Sequence, residues 1–205
     1  MKQRDVECLA ADARRMAGVA TEEIVRAPVL ITALLGPRAV AIAPTLRTSA
    51  CLTTTNGRYL ILLREIGPDS NFDLMHEGAH AILRGFVGYT GSDEERTANA
   101  LAAALLAAPK AVRRWRKRIG EDLRPLASAF GLSQTAMFLR LGEVRGDERA
   151  VVTRSGNVLV RTQGAFPWAT TAVADIARAS GKHRGLRKTH LRGGIDEGRI
   201  TLMAD

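Results

Sequence analysis

The chain has 205 residues, of which 46% are hydrophobic and 25% charged, and this balance excludes a disordered, collagen-like or coiled-coil protein. The longest apolar run, residues 100–108, is far shorter than the roughly 20 residues of a membrane span, so we expect no membrane contact. Neither a signal peptide nor a disulfide framework is visible in the sequence, and we therefore expect a cytoplasmic protein. The formal charge of +9 indicates partners that carry negative charge.

The N-terminal third predicts helices followed by a small sheet. Apolar spacing over residues 3–17 is typical of a helix, and Thr21 before two acids predicts the start of a second, short one. An apolar stretch lies between Pro28 and Gly36, and Asn56-Gly57 is a strong hairpin signal. Strands are predicted at residues 40–43, 50–54 and 59–63. The last of them is a candidate edge for pairing with an extended peptide, or an ordinary core strand.

The middle of the chain predicts two helices separated by a loop. Residues 72–83 have helical spacing of their apolar side chains. Three glycines, at positions 85, 88 and 91, predict the loop. Ser92 is a candidate N-cap for an Ala/Leu-rich helix that extends to Ala108, and Pro109 ends this helix.

The C-terminal half predicts further helices and then a change of character. Residues 110–118 hold six basic residues and no acid. Residues 123–142 are typical of two helices joined by a tight turn at Gly131, with Ser133 capping the second. After these we expect a hairpin of 151–154 with 158–161, a short helix at 170–179 and a last strand at 199–203.

Residues 76–80 contain the pattern His-Glu-x-x-His, which indicates a metal site. On a helix, residues four apart share a face, so His76 and His80 can bind one ion, and neutral imidazole is a good zinc ligand. Glu77 stands beside the first ligand, where it can take a proton from a water whose pKa zinc lowers to roughly 7. Tyr89, in the following loop, is a candidate to stabilise an oxyanion.

The third ligand has several candidates. A catalytic zinc keeps three protein ligands and one open position, so one more ligand must come from another part of the chain. Asp93, Glu94 and Glu95 begin the next helix, and the small residues Ala98 and Ala102 let this helix approach its neighbour. The alternative is that the three acids only stabilise the helix N-terminus.

Two separated motifs resemble those of the ImmA/IrrE-like zinc metallopeptidases. Phe72 precedes His76-Glu77-Gly78-Ala79-His80 by four residues, and Glu95-Arg96-Thr97-Ala98-Asn99 is followed by an apolar helix that ends at Pro109. Both motifs stand in the order found in that family, and the similarity spans about residues 5–145. The family commonly has a bulkier residue where this chain has Gly78.

The resemblance implies a metallopeptidase with Zn²⁺ as cofactor. By position, it assigns His76, His80 and Glu95 as zinc ligands and Glu77 as the general base. Asn99, one turn beyond Glu95, either orients that ligand or caps a loop. The resemblance also implies that the substrate is a helix-turn-helix transcriptional repressor, whose cleavage derepresses stress-response or mobile-element genes.

We therefore predict an α+β protein of three parts. Residues 1–120 form a zincin-like minimal metalloprotease core with a small twisted sheet. Residues 121–148 form a helix-turn-helix-like helical subdomain, and residues 149–205 a small basic C-terminal α/β region.

A second function stays open from the sequence, that of a non-proteolytic DNA-binding or partner-binding regulator with a structural zinc site. The basic segments 110–118 and 182–192 are candidates for DNA contact, although such runs are often only a solvated face. In the second helix of 123–142, the side chains that can read bases are Gln134, Thr135 and Arg140. Glu77 distinguishes the two functions, because a structural site has no use for a general base.

Overall fold

The computed structural model describes residues 1–67, 70–120 and 122–146, together with the backbone of four short strands between residues 150 and 201. Within these residues the chain is α+β, with seven helices and a three-stranded mixed sheet. None of the described helices is both long enough and apolar enough to cross a membrane. The chain divides into two compact units, Met1–Ala136 and Met137–Asp205.

Two helices open the first unit. Helix α1 covers Gln3–Met16, in agreement with the prediction, and α2 covers Ala27–Leu35. The prediction of a helix start at Thr21 is wrong, because residues 21–23 form a turn and α2 begins after Arg26. Pro28 lies in the first turn of α2, where its missing N–H is not needed, and Gly36 ends the helix with φ at 100°.

The sheet has the order β1-β3-β2, with β1 at Val40–Ile42, β2 at Ala50–Thr55 and β3 at Arg58–Leu63. β1 runs parallel to β3, and β2 pairs with it antiparallel through a tight turn. Asn56 and Gly57 both have positive φ, 51° and 73°, as a two-residue hairpin turn requires. β3 is the central strand, so the expectation of a free peptide-pairing edge at 59–63 is wrong.

Helices α3, at Ser70–Val87, and α4, at Glu94–Leu106, form the framework of the site. Helix α3 packs against α2, α4, β2 and β3. A Cβ at Gly78 would lie 2.1 Å from Ile31 Cδ1, so glycine lets α2 approach α3 closely. Helix α3 continues to Val87, so Gly85 belongs to the helix and not to the predicted loop. The ring of Tyr59 packs directly over Gly85, where a Cβ would lie 2.8 Å from it.

A buried arginine joins α1 to the end of α4. Arg14 is fully buried, and its guanidinium donates hydrogen bonds to the carbonyls of Leu105, Ala20 and Glu23 at 2.5–2.7 Å. Burial lowers the pKa of Arg14, and the nearby Glu23 charge partly opposes this. Because Leu105 lies in the last turn of α4, Arg14 satisfies a carbonyl that the helix itself leaves free.

The remaining helices of this part are α5 at Pro109–Ile119, α6 at Leu123–Phe130 and α7 at Gln134–Arg145. The tight turn between α6 and α7 is confirmed. Gly131 adopts the left-handed conformation with φ at 63°, and Ser133 Oγ accepts a hydrogen bond from the Ala136 N–H.

Asn71, at the start of α3, holds the α6–α7 turn against α2. Its Oδ1 accepts a hydrogen bond from the Ala27 N–H at 2.9 Å, and its Nδ2 donates to the Gly131 carbonyl at 3.1 Å. One side chain therefore connects three helical segments beside the site.

The second unit begins within α7, at Met137, and is described through the rest of that helix and four short strands. β4, at Ala150–Val152, pairs antiparallel with β5, at Val158–Arg161, which confirms the predicted pairing. β6, at His190–Arg192, pairs antiparallel with β7, at Arg199–Thr201. The predicted helix at 170–179 lies outside the described residues, as does most of the basic segment 182–192.

Candidate metal centre

Helices α3 and α4 bring three side chains together. His76 and His80 lie one turn apart on α3, with their Nε2 atoms 3.3 Å from each other. From the first turn of α4, Glu95 Oε1 lies 3.1 Å from His76 Nε2, and Glu95 Oε2 lies 3.2 Å from His80 Nε2. Of the three acids considered as the third ligand, the structure places Glu95 against both imidazoles.

The donor atoms of this cluster fit a small divalent ion. A tetrahedral ion bound at about 2.0–2.1 Å separates its ligand atoms by about 3.3–3.4 Å. The two Nε2 atoms are 3.3 Å apart, each Glu95 oxygen lies 3.1–3.2 Å from one of them, and one ligand atom from each residue lies within 4.8 Å of the others. Two imidazoles and a carboxylate are ligands that zinc accepts. Among the residues that the structure describes, His76, His80 and Glu95 form the one group of at least three His, Cys, Asp or Glu side chains close enough to hold a metal ion. No fourth such side chain joins them.

Glu94 supports His80 from behind. Its Oε1 lies 2.6 Å from His80 Nδ1 and accepts a hydrogen bond from Arg84 Nε at 2.7 Å. Burial alone raises the pKa of Glu94, but these two partners outweigh it, so the pKa lies below its ordinary value. Because a carboxylate only accepts, the shared proton belongs to Nδ1, which leaves a lone pair on His80 Nε2 directed at the cluster.

His76 is positioned by ring contacts instead. Its ring packs edge-on against the His80 ring at 4.8 Å between centroids, and against Phe72 at 6.4 Å. Within the described part of the chain, His76 Nδ1 is buried without a hydrogen-bond partner. The two histidines are thus held differently, one by a carboxylate and one by packing.

Asp93 belongs to a separate group of contacts. It accepts a hydrogen bond from the Tyr89 hydroxyl and forms an ion pair with the N-terminal amine of Met1 at 3.1 Å. The hydrogen bond from Tyr89, and then that from the amine, lower the pKa of Asp93, and the same bond to Asp93 raises the pKa of Tyr89. Since the Tyr89 proton is directed at Asp93, the expectation of Tyr89 as an oxyanion donor finds no support in this geometry.

Glu77 and Asn99 differ in their relation to the cluster. Glu77 is half-buried beside His76, and its carboxylate forms no hydrogen bond or ion pair with any residue that the structure describes. Asn99 Nδ2 donates to the main-chain carbonyl of Glu95 at 3.0 Å. Asn99 is therefore not a hydrogen-bond partner of the Glu95 carboxylate.

The cluster is covered on the histidine side and open on the glutamate side. The exposed fractions of the side chains are 16% for His76, 10% for His80 and 73% for Glu95. A cavity of about 520 Å³ lies at the α3 end of this centre. Phe72, which contacts His76, lines it together with Arg26, Asp73 and the residues of the α6–α7 turn.

The proposed base-reading helix keeps fewer polar groups than the sequence indicated. Arg140 is 1% exposed and forms an ion pair with Glu143 at 3.1 Å, so it is not available to read bases. The basic segment 110–118 forms α5, in which Ala111 and Val112 are buried.

Two supporting residues escaped the sequence reasoning. The role of Glu94 behind His80 depends on the angle between two helices, which no motif specifies. Arg14 lies four residues after the buried Ala10, and this spacing was the available signal for a position on the inner face of α1. In comparisons with protein-family models, with curated proteins and with solved structures, none matches this chain, so its chemistry is inferred from the residues themselves.

Proposed function

We propose that this chain is a zinc-dependent metallopeptidase of the cytoplasm, with a zincin-like core. His76, His80 and Glu95 hold the ion, and Glu77 is the general base. The observation that carries the proposal is the convergence of the two imidazole Nε2 atoms, 3.3 Å apart, with the Glu95 carboxylate, whose two oxygens each lie 3.1–3.2 Å from one of them. Glu77 follows His76 directly in the chain, and its carboxylate has no hydrogen-bond or ion-pair partner among the described residues.

In the proposed reaction, bound zinc supplies Lewis acidity, which lowers the pKa of water to about 7 and polarises a peptide carbonyl. Glu77 accepts one proton as the water oxygen bonds to the carbonyl carbon. It then gives that proton to the amide nitrogen as the carbon–nitrogen bond breaks. Glu94 keeps the proton of His80 on Nδ1, so that Nε2 stays free to bind the ion.

The donor count favours catalysis over a structural role for the metal. Structural zinc sites in proteins use four protein ligands, whereas catalytic sites use three and leave one position open. Three groups converge here among the described residues, and the third, Glu95, is on the solvent side. Among the described residues, half-buried Glu77 forms no hydrogen bond or ion pair that would give it a structural task.

We place substrate beside Phe72, because this side chain lines the cavity and its ring also packs against that of His76. The family resemblance supports a helix-turn-helix repressor as the substrate. The cavity is large enough for a side chain next to the scissile bond, since ligand pockets start at about 300 Å³.

The test compares two glutamate variants of the full chain loaded with Zn²⁺. The substrate is a purified helix-turn-helix repressor, taken from the neighbouring reading frame if one is encoded there, and mass spectrometry identifies new termini. Glu77→Gln lowers the cleavage rate by about 10²–10⁴-fold with zinc content unchanged. The matched control is Glu65→Gln, at an exposed position outside the cluster, which keeps the cleavage rate.

Equal cleavage by Glu77→Gln and the parent chain contradicts the proposed mechanism. If the parent chain binds zinc and a partner protein but cleaves nothing, the alternative of a non-proteolytic regulator is favoured. The exposed basic residues of α5 are the observation that keeps this alternative in view.

A further inference from the structure

Helix α5 carries its positive charges on one face. At 100° per residue, five of its basic residues fall within an arc of about 140°, along about 12 Å of the helix. Ala111 and Val112, which are buried, lie outside this arc. All five basic residues are exposed, and we call them the cationic stripe: Lys110, Arg113, Arg114, Lys117 and Arg118.

The cationic stripe lacks acidic partners of its own. Among the residues that the structure describes, none of its five members forms an ion pair. Arg118 lies over the ring of Trp115, with 5.8 Å to the centroid. The pKa of exposed Glu22 is lowered first by its hydrogen bond from Thr21, and only secondarily by the charges of Lys110 and Arg114.

Stabilisation of the helix itself does not explain the stripe. Cations are favourable in the last turn of a helix and unfavourable in the first. Arg118 is in the last turn, but Lys110 is in the first, and Arg113 and Arg114 follow in the N-terminal half. Like charges four apart, such as Lys110 with Arg114, destabilise a helix further.

The composition of the stripe favours phosphate over an acidic protein surface. Protein interfaces have an apolar core with aromatic anchors, but the large apolar side chains exposed in the described residues all lie outside α5. Duplex DNA presents one charge per about 1.7 Å, or about seven charges over the length of the stripe. We propose that the cationic stripe binds the phosphate backbone of duplex DNA without reading its sequence.

This site is separate from the metal centre. Glu95 is in the first turn of α4, and the stripe begins on the next helix, beyond the last turn of α4, so the two share no residue and no helix. DNA binding by the stripe does not depend on peptide hydrolysis. A chain held on DNA in this way meets DNA-bound proteins at high local concentration.

The experiment measures the affinity of the full chain for a fluorescein-labelled 20-bp duplex of arbitrary sequence by anisotropy, at 50 and 200 mM NaCl. With five phosphate contacts, this change in salt weakens binding by about 500-fold. Arg113→Gln/Arg114→Gln/Lys117→Gln leaves two contacts, and the same change weakens binding by only about 12-fold. The triple variant also binds more weakly than the parent chain at 50 mM.

The matched control is Arg38→Gln/Arg47→Gln/Arg58→Gln, which removes the same charge from exposed positions elsewhere. It keeps the salt dependence of the parent chain. Equal losses in both triple variants overturn the proposal, because net charge and not the stripe then governs binding. Competition by polyglutamate as effective as that by unlabelled duplex also overturns it, in favour of an acidic protein. His80→Ala binds the duplex like the parent chain, so a failure here and a failure of the proposed peptidase are distinguishable.

Discussion

The two ends of α4 lead to contrasting arrangements of charge. At its N-terminal end, each of three consecutive acids has a partner from elsewhere in the chain: Asp93 has the N-terminal amine, Glu94 has His80 and Arg84, and Glu95 has both histidines. Beyond its C-terminal end, the five members of the cationic stripe of α5 are exposed and form no ion pair with any described residue. The acids are held by partners within the chain, whereas the cations face solvent.

The largest expected effect is the loss of metal binding in His80→Ala. Removing one of three ligands lowers the affinity for Zn²⁺ by at least about 10³-fold, because only two protein ligands remain and water takes the place of the third. Competition with a chromophoric chelator measures the affinity. The control is Asn99→Ala on α4, whose side chain donates to the main-chain carbonyl of Glu95 and not to its carboxylate, and it leaves the affinity unchanged. A similar loss in both variants would mean that the cluster is not the metal site.

Arg14→Met tests a cation that is partnered inside the molecule. The variant keeps an apolar stem but leaves the carbonyls of Leu105, Ala20 and Glu23 without their donor. We expect the free energy of unfolding to fall by about 3 kcal/mol, as measured by urea denaturation. Arg15→Met, at a neighbouring exposed side chain paired only with Asp12, changes it by less than about 0.5 kcal/mol. Equal effects of the two variants would remove the distinction between partnered and free cations.

Glu94→Gln tests the support behind His80. The amide still accepts a hydrogen bond from Nδ1, but without its negative charge the imidazole is a weaker ligand. We expect zinc affinity to fall by about 10–100-fold, again by chelator competition. Arg84→Gln removes the other partner of Glu94 but keeps the negative charge of Glu94. We therefore expect this variant to lower zinc affinity less than Glu94→Gln does. An unchanged affinity in Glu94→Gln would contradict the assigned role.

Features set by short stretches of chain were predictable from the sequence. The turn at Asn56-Gly57 follows from the positive φ that both positions need, and the turn at Gly131 from the same property of glycine. The spacing of His76 and His80 places both on one face of α3 whatever surrounds it. In each case the local residues determine the geometry.

Features set by the meeting of distant elements were not predictable. The spacing of residues 93–95 does not tell which acid faces the histidines, because that depends on how α4 lies against α3, and only the family resemblance singled out Glu95. β3 is central because β1, some twenty positions earlier, pairs with it in parallel. Arg140 is buried with Glu143, although its spacing suited an exposed base-reading face. Tertiary packing decides these positions, and no short motif encodes it.

The smallest expected effect concerns the stability of the α5 variant Arg113→Gln/Arg114→Gln/Lys117→Gln. Among the described residues its side chains have no ion pair to lose, and the substitutions remove three like-charge pairs four residues apart, such as Arg113 with Lys117. Each such pair costs about 0.2–0.5 kcal/mol, so we expect the free energy of unfolding to rise by about 0.6–1.5 kcal/mol at low salt. In 1 M NaCl the gain disappears, because the Debye length falls to about 3 Å. Metal content stays unchanged. A loss of stability would show that these cations have partners within the chain, and the contrast between the two ends of α4 would then fail.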